Sequence, residues 1–159
     1  NIEPFDWASY LRTRLDGHGP LIGGLESHGW KLVYTDQPSE AVKAAEARRH
    51  YADLTYSLGL SIGKDGGIGD VLWDSPAFKA GISPGMTVIA INGHDYDADE
   101  LKDAVTAAAK DNSQVIELLV KNFNEYKTVR IDYHGGLKYP HLVRDTSRPD
   151  TLATLFKPL

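Results

Sequence analysis

Helix-like and strand-like patterns alternate along the first 50 residues. Apolar and aromatic side chains from Phe5 to Leu15 follow an approximate i, i+3, i+4 spacing, which predicts a helix ending at residues 17–20, Gly-His-Gly-Pro. Residues 30–35, Trp-Lys-Leu-Val-Tyr-Thr, predict a strand. Residues 39–50 are rich in Ala, Glu, Lys and Arg, and they fit either a short helix or a solvated linker.

The sequence of residues 54–73 is typical of short strands joined by turns. Residues 54–62 are strand-like around Gly59, and a shorter strand is expected at residues 69–73. The Lys-Asp-Gly-Gly sequence at residues 64–67 contains an Asp-Gly turn signal. We therefore expect a hairpin in this part of the chain.

A short helix and a strand are expected next. Residues 75–81, Ser-Pro-Ala-Phe-Lys-Ala-Gly, offer a capping serine, a proline at the first helical position and a glycine for a left-handed stop. Residues 86–91 form an apolar run that predicts a strand, and the following Asn-Gly pair predicts a tight turn.

A longer amphipathic helix and a second hairpin complete the pattern. Asp97 is placed to cap a helix whose apolar stripe begins at Leu101 and repeats at i+4 and i+7. Residues 115–121 and residues 126–133 each place their apolar side chains on one face, which predicts two paired strands.

The order of these elements predicts an α+β fold. We expect a partly open antiparallel β-barrel or sandwich flanked by two helices, with an N-terminal α/β extension. The predicted organisation is an extension at residues 1–50, a domain at residues 51–133 and a C-terminal tail at residues 134–159.

Composition excludes several classes of function. The formal net charge of −5 argues against a general nucleic-acid binder, and no apolar run is long enough to span a bilayer. Cysteine is absent, which excludes disulfides, thiolate metal sites and a cysteine nucleophile. The only methionine is Met86 and the chain begins at Asn1, so we expect a piece of a longer protein.

Residues 59–63, Gly-Leu-Ser-Ile-Gly, match the G-x-S-x-G pattern of serine hydrolases. That chemistry requires a strand, a sharp turn carrying the serine and then a helix, whereas glycine-rich residues 64–69 follow here. A hydrolase built on Ser61 is therefore a minor alternative. The glycine cluster favours a hairpin over a phosphate loop, because no helix follows it.

The histidines and carboxylates show no catalytic or metal-binding pattern. None of the six histidines pairs with another at i, i+4, and H-E-x-x-H is absent. The carboxylates between Asp95 and Asp103 gather at a predicted helix start, where the helix dipole favours negative charge. No metal or other cofactor is expected in this chain.

Residues 75–93 carry the most specific signal. Ser-Pro-Ala-x-x-Ala-Gly-Ile is followed by Pro-Gly, an apolar strand and Ile-Asn-Gly. Together with Leu-Gly-Leu at residues 58–60, this segment resembles the PDZ domain in its bacterial protease-associated form. Met86 stands where that pattern usually has Asp. The resemblance implies a module that captures peptide ends or extended segments by β-strand addition.

The resemblance also implies which residues form a peptide groove. The N–H groups of Leu58, Gly59 and Leu60 would cradle a peptide C-terminus, and the strand from Leu60 would offer a free edge. The full set of predicted peptide-binding residues is Leu58, Gly59, Leu60, Ser61, Ile62, Ala98, Lys102 and Val105. Leu60, Ile62 and Val105 also fit a simpler interpretation as ordinary core residues.

The flanking segments carry a second, looser resemblance. Residues 4–7, Pro-Phe-Asp-Trp, residues 29–34 and residues 138–142 are similar to the surroundings of the PDZ module in glycyl aminopeptidase-type metallopeptidases. This implies a parent protein with a thermolysin-like zinc domain, residues 1–50 being the end of its catalytic region. Zinc is expected only in that missing domain, and no catalytic residue maps onto this chain.

The expected function is therefore non-catalytic peptide recognition. The expected partner is a peptide or protein C-terminus, or the parent's own catalytic domain, with no nucleic acid and no membrane. A structural module whose groove is filled by the protein itself is the alternative, with residues 30–35 as the candidate plug. The resemblance implies a bacterial protein and leaves cytoplasm and periplasm both open.

Overall fold

The computed structural model describes residues 6–16, 25–151 and 153. The helices are α1 (Trp7–Asp16), α2 (Glu40–Arg49), α3 (Pro76–Lys79) and α4 (Ala98–Lys110). The strands are β1 (Trp30–Thr35), β2 (Tyr51–Leu54), β3 (Leu60–Gly63), β4 (Ile68–Val71), β5 (Thr87–Ile91), β6 (His94–Asp95), β7 (Ile116–Asn122), β8 (Glu125–Ile131) and β9 (Tyr139–Arg144).

The chain divides into two compact units. One comprises Val33–His141, and the other comprises Asn1–Leu32 and Leu142–Leu159. Residues 33–50 and 134–141 thus belong to the same unit as residues 51–133. The boundaries predicted at residues 50 and 133 remain predictions.

The N-terminal elements follow the sequence pattern closely. Helix α1 and strand β1 confirm the first helix and strand, whereas the predicted stop at residues 17–20 lies outside the described residues. Residues 39–50 form a helix and not a linker, because the Ser39 side chain accepts the Val42 N–H and His50 ends the helix in a left-handed conformation.

Two antiparallel sheets organise the Val33–His141 unit. The first has the strand order β2-β3-β4, and the second has the order β6-β5-β7-β8. The hairpin predicted at residues 64–67 joins β3 to β4. The single strand predicted at residues 54–62 is wrong, because a turn at residues 55–59 divides it between β2 and β3.

A continuous apolar core lies within this unit. The predicted stripe of α4 is buried at Leu101, Val105 and Ala108. Alternate side chains of β7, beginning at Ile116, and of β8, at Val129 and Ile131, are buried in the same cluster. The sheets do not close into a barrel, and the α+β fold expected from the sequence is confirmed.

The capping and turn predictions are also confirmed. Ser75 caps α3 by accepting the Phe78 N–H, and Gly81 has a φ of 82°. Asn92 and Gly93 both have positive φ, as the tight turn after β5 requires. Strand β9 was not predicted; it pairs with β1 in a separate two-stranded sheet.

We predict that Gly59→Ala destabilises the fold more than Gly85→Ala. Both glycines have a positive φ, of 80° and 86°, so either substitution costs about 1–2 kcal/mol of backbone strain. A Cβ at Gly59 would also come within 2.1 Å of the Ser75 Cβ, whereas a Cβ at Gly85 would meet open space.

Urea unfolding of the two variants measures the difference between them. A free energy of unfolding that is clearly lower for the Gly59 variant supports the close approach of residues 59 and 75. Equal decreases in the free energy of unfolding of the two variants would contradict this close approach.

Candidate functional site

The apolar residues of the predicted groove are core residues. Leu58, Leu60 and Ile62 have exposed fractions of 0%, 1% and 0%, and Val105 is equally buried. All four belong to the central hydrophobic cluster. Their side chains therefore form part of the interior and do not line an open pocket.

Strand β3 has no free edge. Strand β2 pairs antiparallel with it along its whole length, from Tyr51 opposite Gly63 to Leu54 opposite Leu60. Strand β4 pairs with the other side of β3. The predicted free edge at residues 60–63 is thus wrong, because the protein's own preceding strand takes the position that a guest strand would occupy.

Alternating burial explains why β2 lies there. Ala52 and Leu54 have exposed fractions of 1% and 0%, while Tyr51 and Asp53 between them are partly exposed. Burying a leucine side chain contributes about 1.5–3 kcal/mol. The Tyr-Ala-Asp-Leu alternation is visible in the sequence, but it does not indicate which strand is the partner.

Backbone groups of the loop between β2 and β3 also form hydrogen bonds within the chain. The N–H groups of Gly59 and Ser57 donate to the Leu54 carbonyl oxygen at 2.9 and 3.1 Å. The Gly59 carbonyl accepts the Leu72 N–H at 2.7 Å, and the Leu58 carbonyl accepts the Ala77 N–H at 2.9 Å. A carbonyl of the chain itself therefore receives the Gly59 amide that was expected to bind a peptide carboxylate.

Two of the three α4 residues of the predicted groove lie beside a small cavity and not in the core. Ala98 and Lys102 line a cavity of about 340 Å3 together with Tyr51 and Ala52 of β2. The structure thus brings Ala98 and Lys102 next to β2. The candidate plug at residues 30–35 is wrong, because β1 pairs with β9 and β2 is the strand that fills the β3 edge.

Glu46 of α2 is a residue that the sequence analysis missed. One carboxylate oxygen accepts the Asp53 N–H at 2.8 Å, and the other accepts the Lys102 ammonium group at 3.1 Å. The side chains of Glu46 and Lys102 have exposed fractions of only 13% and 21%. Glu46 therefore ties α2, β2 and α4 together.

The register shows why Glu46 reaches the Asp53 amide. The Lys64 N–H donates to the His50 carbonyl, so residues 50, 52 and 54 form the hydrogen-bonded pairs of the β2–β3 ladder. The Asp53 N–H consequently points away from β3. Glu46 caps this outward edge of the sheet.

Ser61 lies within β3 as an ordinary strand residue. Its hydroxyl accepts the Asp70 N–H at 3.0 Å and lies 3.5 Å from an Asp70 carboxylate oxygen. A turn and β4 follow β3, so the strand–turn–helix arrangement of a nucleophile elbow is not formed around Ser61.

The described residues contain neither a metal-binding cluster nor a membrane-spanning helix. Within residues 6–16, 25–151 and 153, no group of three histidine, aspartate or glutamate side chains is placed to hold a metal ion. No helix in the same part of the chain is both long and apolar enough to cross a bilayer.

Similar folds occur among solved structures. An aminopeptidase N family protein from Idiomarina loihiensis has 15% sequence identity and a TM-score of 0.57, covering 99% of this chain and 27% of that protein. A PDZ domain protein from Parabacteroides distasonis has 15% identity and a TM-score of 0.38, covering 56% of this chain and 33% of its own. The HtrA3 PDZ domain, bound to a phage-derived ligand, has 16% identity and a TM-score of 0.36, and the match covers 82% of this chain and 100% of that domain.

The likeness concerns the fold. No protein-family model and no curated protein matches the sequence. The chain spans about a quarter of the length of the aminopeptidase N family protein that it resembles. The chain has an α+β fold similar to that of a segment in this larger protein.

Proposed function

We propose that this chain is a non-catalytic, PDZ-like module of a larger aminopeptidase-type protein, and that its peptide groove is filled by its own strand β2. The observation that carries the proposal is the full-length pairing of β2 with β3, with the Leu54 carbonyl on the Gly59 and Ser57 amides. In this state the module acts as a structural element and does not capture foreign chain ends.

The energetics favour the closed groove. A guest strand would have to displace Leu54, whose burial contributes about 1.5–3 kcal/mol. That loss alone lowers the affinity of a guest roughly 10- to 100-fold. Strand β2 is also tethered by a short loop, which gives it an effective concentration of order mM at the β3 edge.

Two observations support the assignment of this chain to a larger aminopeptidase-type protein. The fold likeness to an aminopeptidase N family protein covers 99% of this chain, and the landmarks at residues 4–7 and 138–142 resemble those of glycyl aminopeptidase-type metallopeptidases. Zinc chemistry would belong to the rest of such a protein. This chain would contribute architecture and contact with the catalytic region.

We predict that C-terminal peptides do not bind to the β3 edge. The test is a ¹H–¹⁵N NMR titration of the labelled chain with a library of peptides that have free C-terminal carboxylates. No peptide should shift the resonances of residues 58–62 or residues 98–105, because β2 already occupies the edge.

One result of the peptide titration would contradict the filled groove. Saturable shifts confined to residues 58–62 and 98–105 would show that a guest enters the groove. Loss of hydrogen-exchange protection in β2 during the same titration would identify displacement of β2 as the route.

We predict that Glu46→Gln destabilises the module by about 1–3 kcal/mol. The substitution removes a partly buried charge that holds both the Asp53 N–H and Lys102, and it leaves the Lys102 ammonium without its counter-ion. Glu40→Gln on the same helix is the matched control. Its side chain is 90% exposed, and among the described residues its carboxylate bonds only to Lys43, so we expect a change within about 0.5 kcal/mol.

Denaturant unfolding followed by circular dichroism measures both variants. Equal stabilities for the Glu46 and Glu40 variants would show that Glu46 does not hold β2 against α4.

A further inference from the structure

His134, which follows strand β8, is held between two hydrogen-bond acceptors. Its Nδ1 atom lies 2.7 Å from the Ala108 carbonyl oxygen, and its Nε2 atom lies 2.8 Å from a carboxylate oxygen of Asp132. A carbonyl oxygen and an ionised carboxylate accept hydrogen bonds and cannot donate them. Both ring nitrogens must therefore carry a proton if both hydrogen bonds are to form.

This requirement selects the imidazolium form of the ring. A neutral imidazole has one N–H donor, so it can satisfy one of the two acceptors and turns a lone pair toward the other. The His134 side chain is 25% exposed, which lets water deliver and remove the proton. The two contacts of His134 thus depend on a proton that histidine gains or loses near neutral pH.

The position of Ala108 in α4 gives a further reason for a positive charge. Its carbonyl is one of the last four of the helix, which ends at Lys110. Such carbonyls lack intrahelical partners and form the negative end of the helix dipole. A protonated histidine is therefore favourable here, because it donates to one of these carbonyls.

The charged groups around His134 also favour the protonated ring. The hydrogen bond to the Ala108 carbonyl raises the pKa of His134 above its ordinary value, and the hydrogen bond and charge of Asp132 raise it further. The charge of Asp111, which follows α4, adds to the rise, while partial burial of the ring opposes it. Lys110 in the last turn of α4 is exposed and forms no hydrogen bond with the ring among the described residues.

The connection between β8 and β9, residues 132–138, reaches from α4 to the loop before β3. His134 contacts α4, and the Lys138 N–H donates to the Ser57 Oγ at 3.0 Å. Ser57 is only 5% exposed, and its own N–H donates to the Leu54 carbonyl. The contacts of His134 therefore help to fix a segment that also holds the β2–β3 loop.

We infer that His134, Ala108 and Asp132 form a pH-sensitive clasp, in which the protonated ring joins the end of α4 to the connection between β8 and β9 and loss of the proton opens the clasp. Its contribution to stability is complete below the pKa of about 6.5 that histidine has in an unfolded chain. Because the folded chain raises this pKa, the contribution persists above that value and is lost as the pH rises through the raised pKa. The inference is independent of what occupies the β3 edge.

The ring itself gives the first test. Long-range ¹H–¹⁵N NMR spectra of the labelled chain, recorded across a pH titration, report the proton on each ring nitrogen. We expect both His134 nitrogens to remain protonated above about pH 6.5. Asp132→Asn should lower the pH at which the proton is lost, because it replaces a charged acceptor by a neutral one. A ring that loses its proton at or below about pH 6.5 in the unmodified chain would overturn the inference.

Amide hydrogen exchange measures the release of the connection. The protection factor of the Lys138 amide, corrected for the intrinsic pH dependence of exchange, should fall severalfold between about pH 5.5 and about pH 8.5, a span that brackets histidine titration. His134→Gln should show low protection at both pH values, because its side chain does not titrate. The control is His94→Gln, at an exposed position on β6, which should keep the fall of the unmodified chain.

Two outcomes of the exchange experiment would overturn the inference. One is equal protection of Lys138 at both pH values in the unmodified chain, and the other is a fall of the same size in the His134 variant. Asp132→Asn keeps the ring and its contact with Ala108, so it serves if His134→Gln fails to fold. Its fall should shift to lower pH, and an unshifted fall would also contradict the clasp.

Discussion

The pairing of β2 with β3 is the interaction on which the rest of the structure depends. It places Ala52 and Leu54 in the core, directs the Leu54 carbonyl to the Gly59 and Ser57 amides, and covers an edge that would otherwise expose unpaired backbone groups. The new outer edge is then blocked in turn, because Glu46 accepts the Asp53 N–H. The β3 edge is thereby covered by a local segment of the same chain.

Much of the fold follows from short-range patterns. The stripe beginning at Leu101 predicted α4 and its buried face, and the Asn-Gly pair predicted the turn after β5, because helix periodicity and turn chemistry are local properties. Strand β9 escaped prediction because Pro140 and the preceding glycines are poor strand signals.

The state of the groove could not be predicted in the same way. The alternation in Tyr-Ala-Asp-Leu shows that a strand can form, but the choice of β3 as its partner depends on tertiary packing. The role of Glu46 could not be predicted from the sequence either, because its contacts form only when α2, β2 and α4 pack together. The sequence pattern around Glu46 also fitted both a helix and a linker. The resemblance to PDZ domains indicated the architecture and gave no information on what occupies the edge.

The most direct measurement is the nuclear Overhauser contact between the α-protons of Asp53 and Ser61. These residues form a non-hydrogen-bonded pair of the antiparallel ladder, in which the Cα atoms approach to about 4.5 Å. Pairing of β2 with β3 predicts a strong contact for this pair and for Tyr51 with Gly63, together with slow hydrogen exchange in β3. Absent contacts, with the β3 amides exchanging as freely as a loop, would contradict the closed groove.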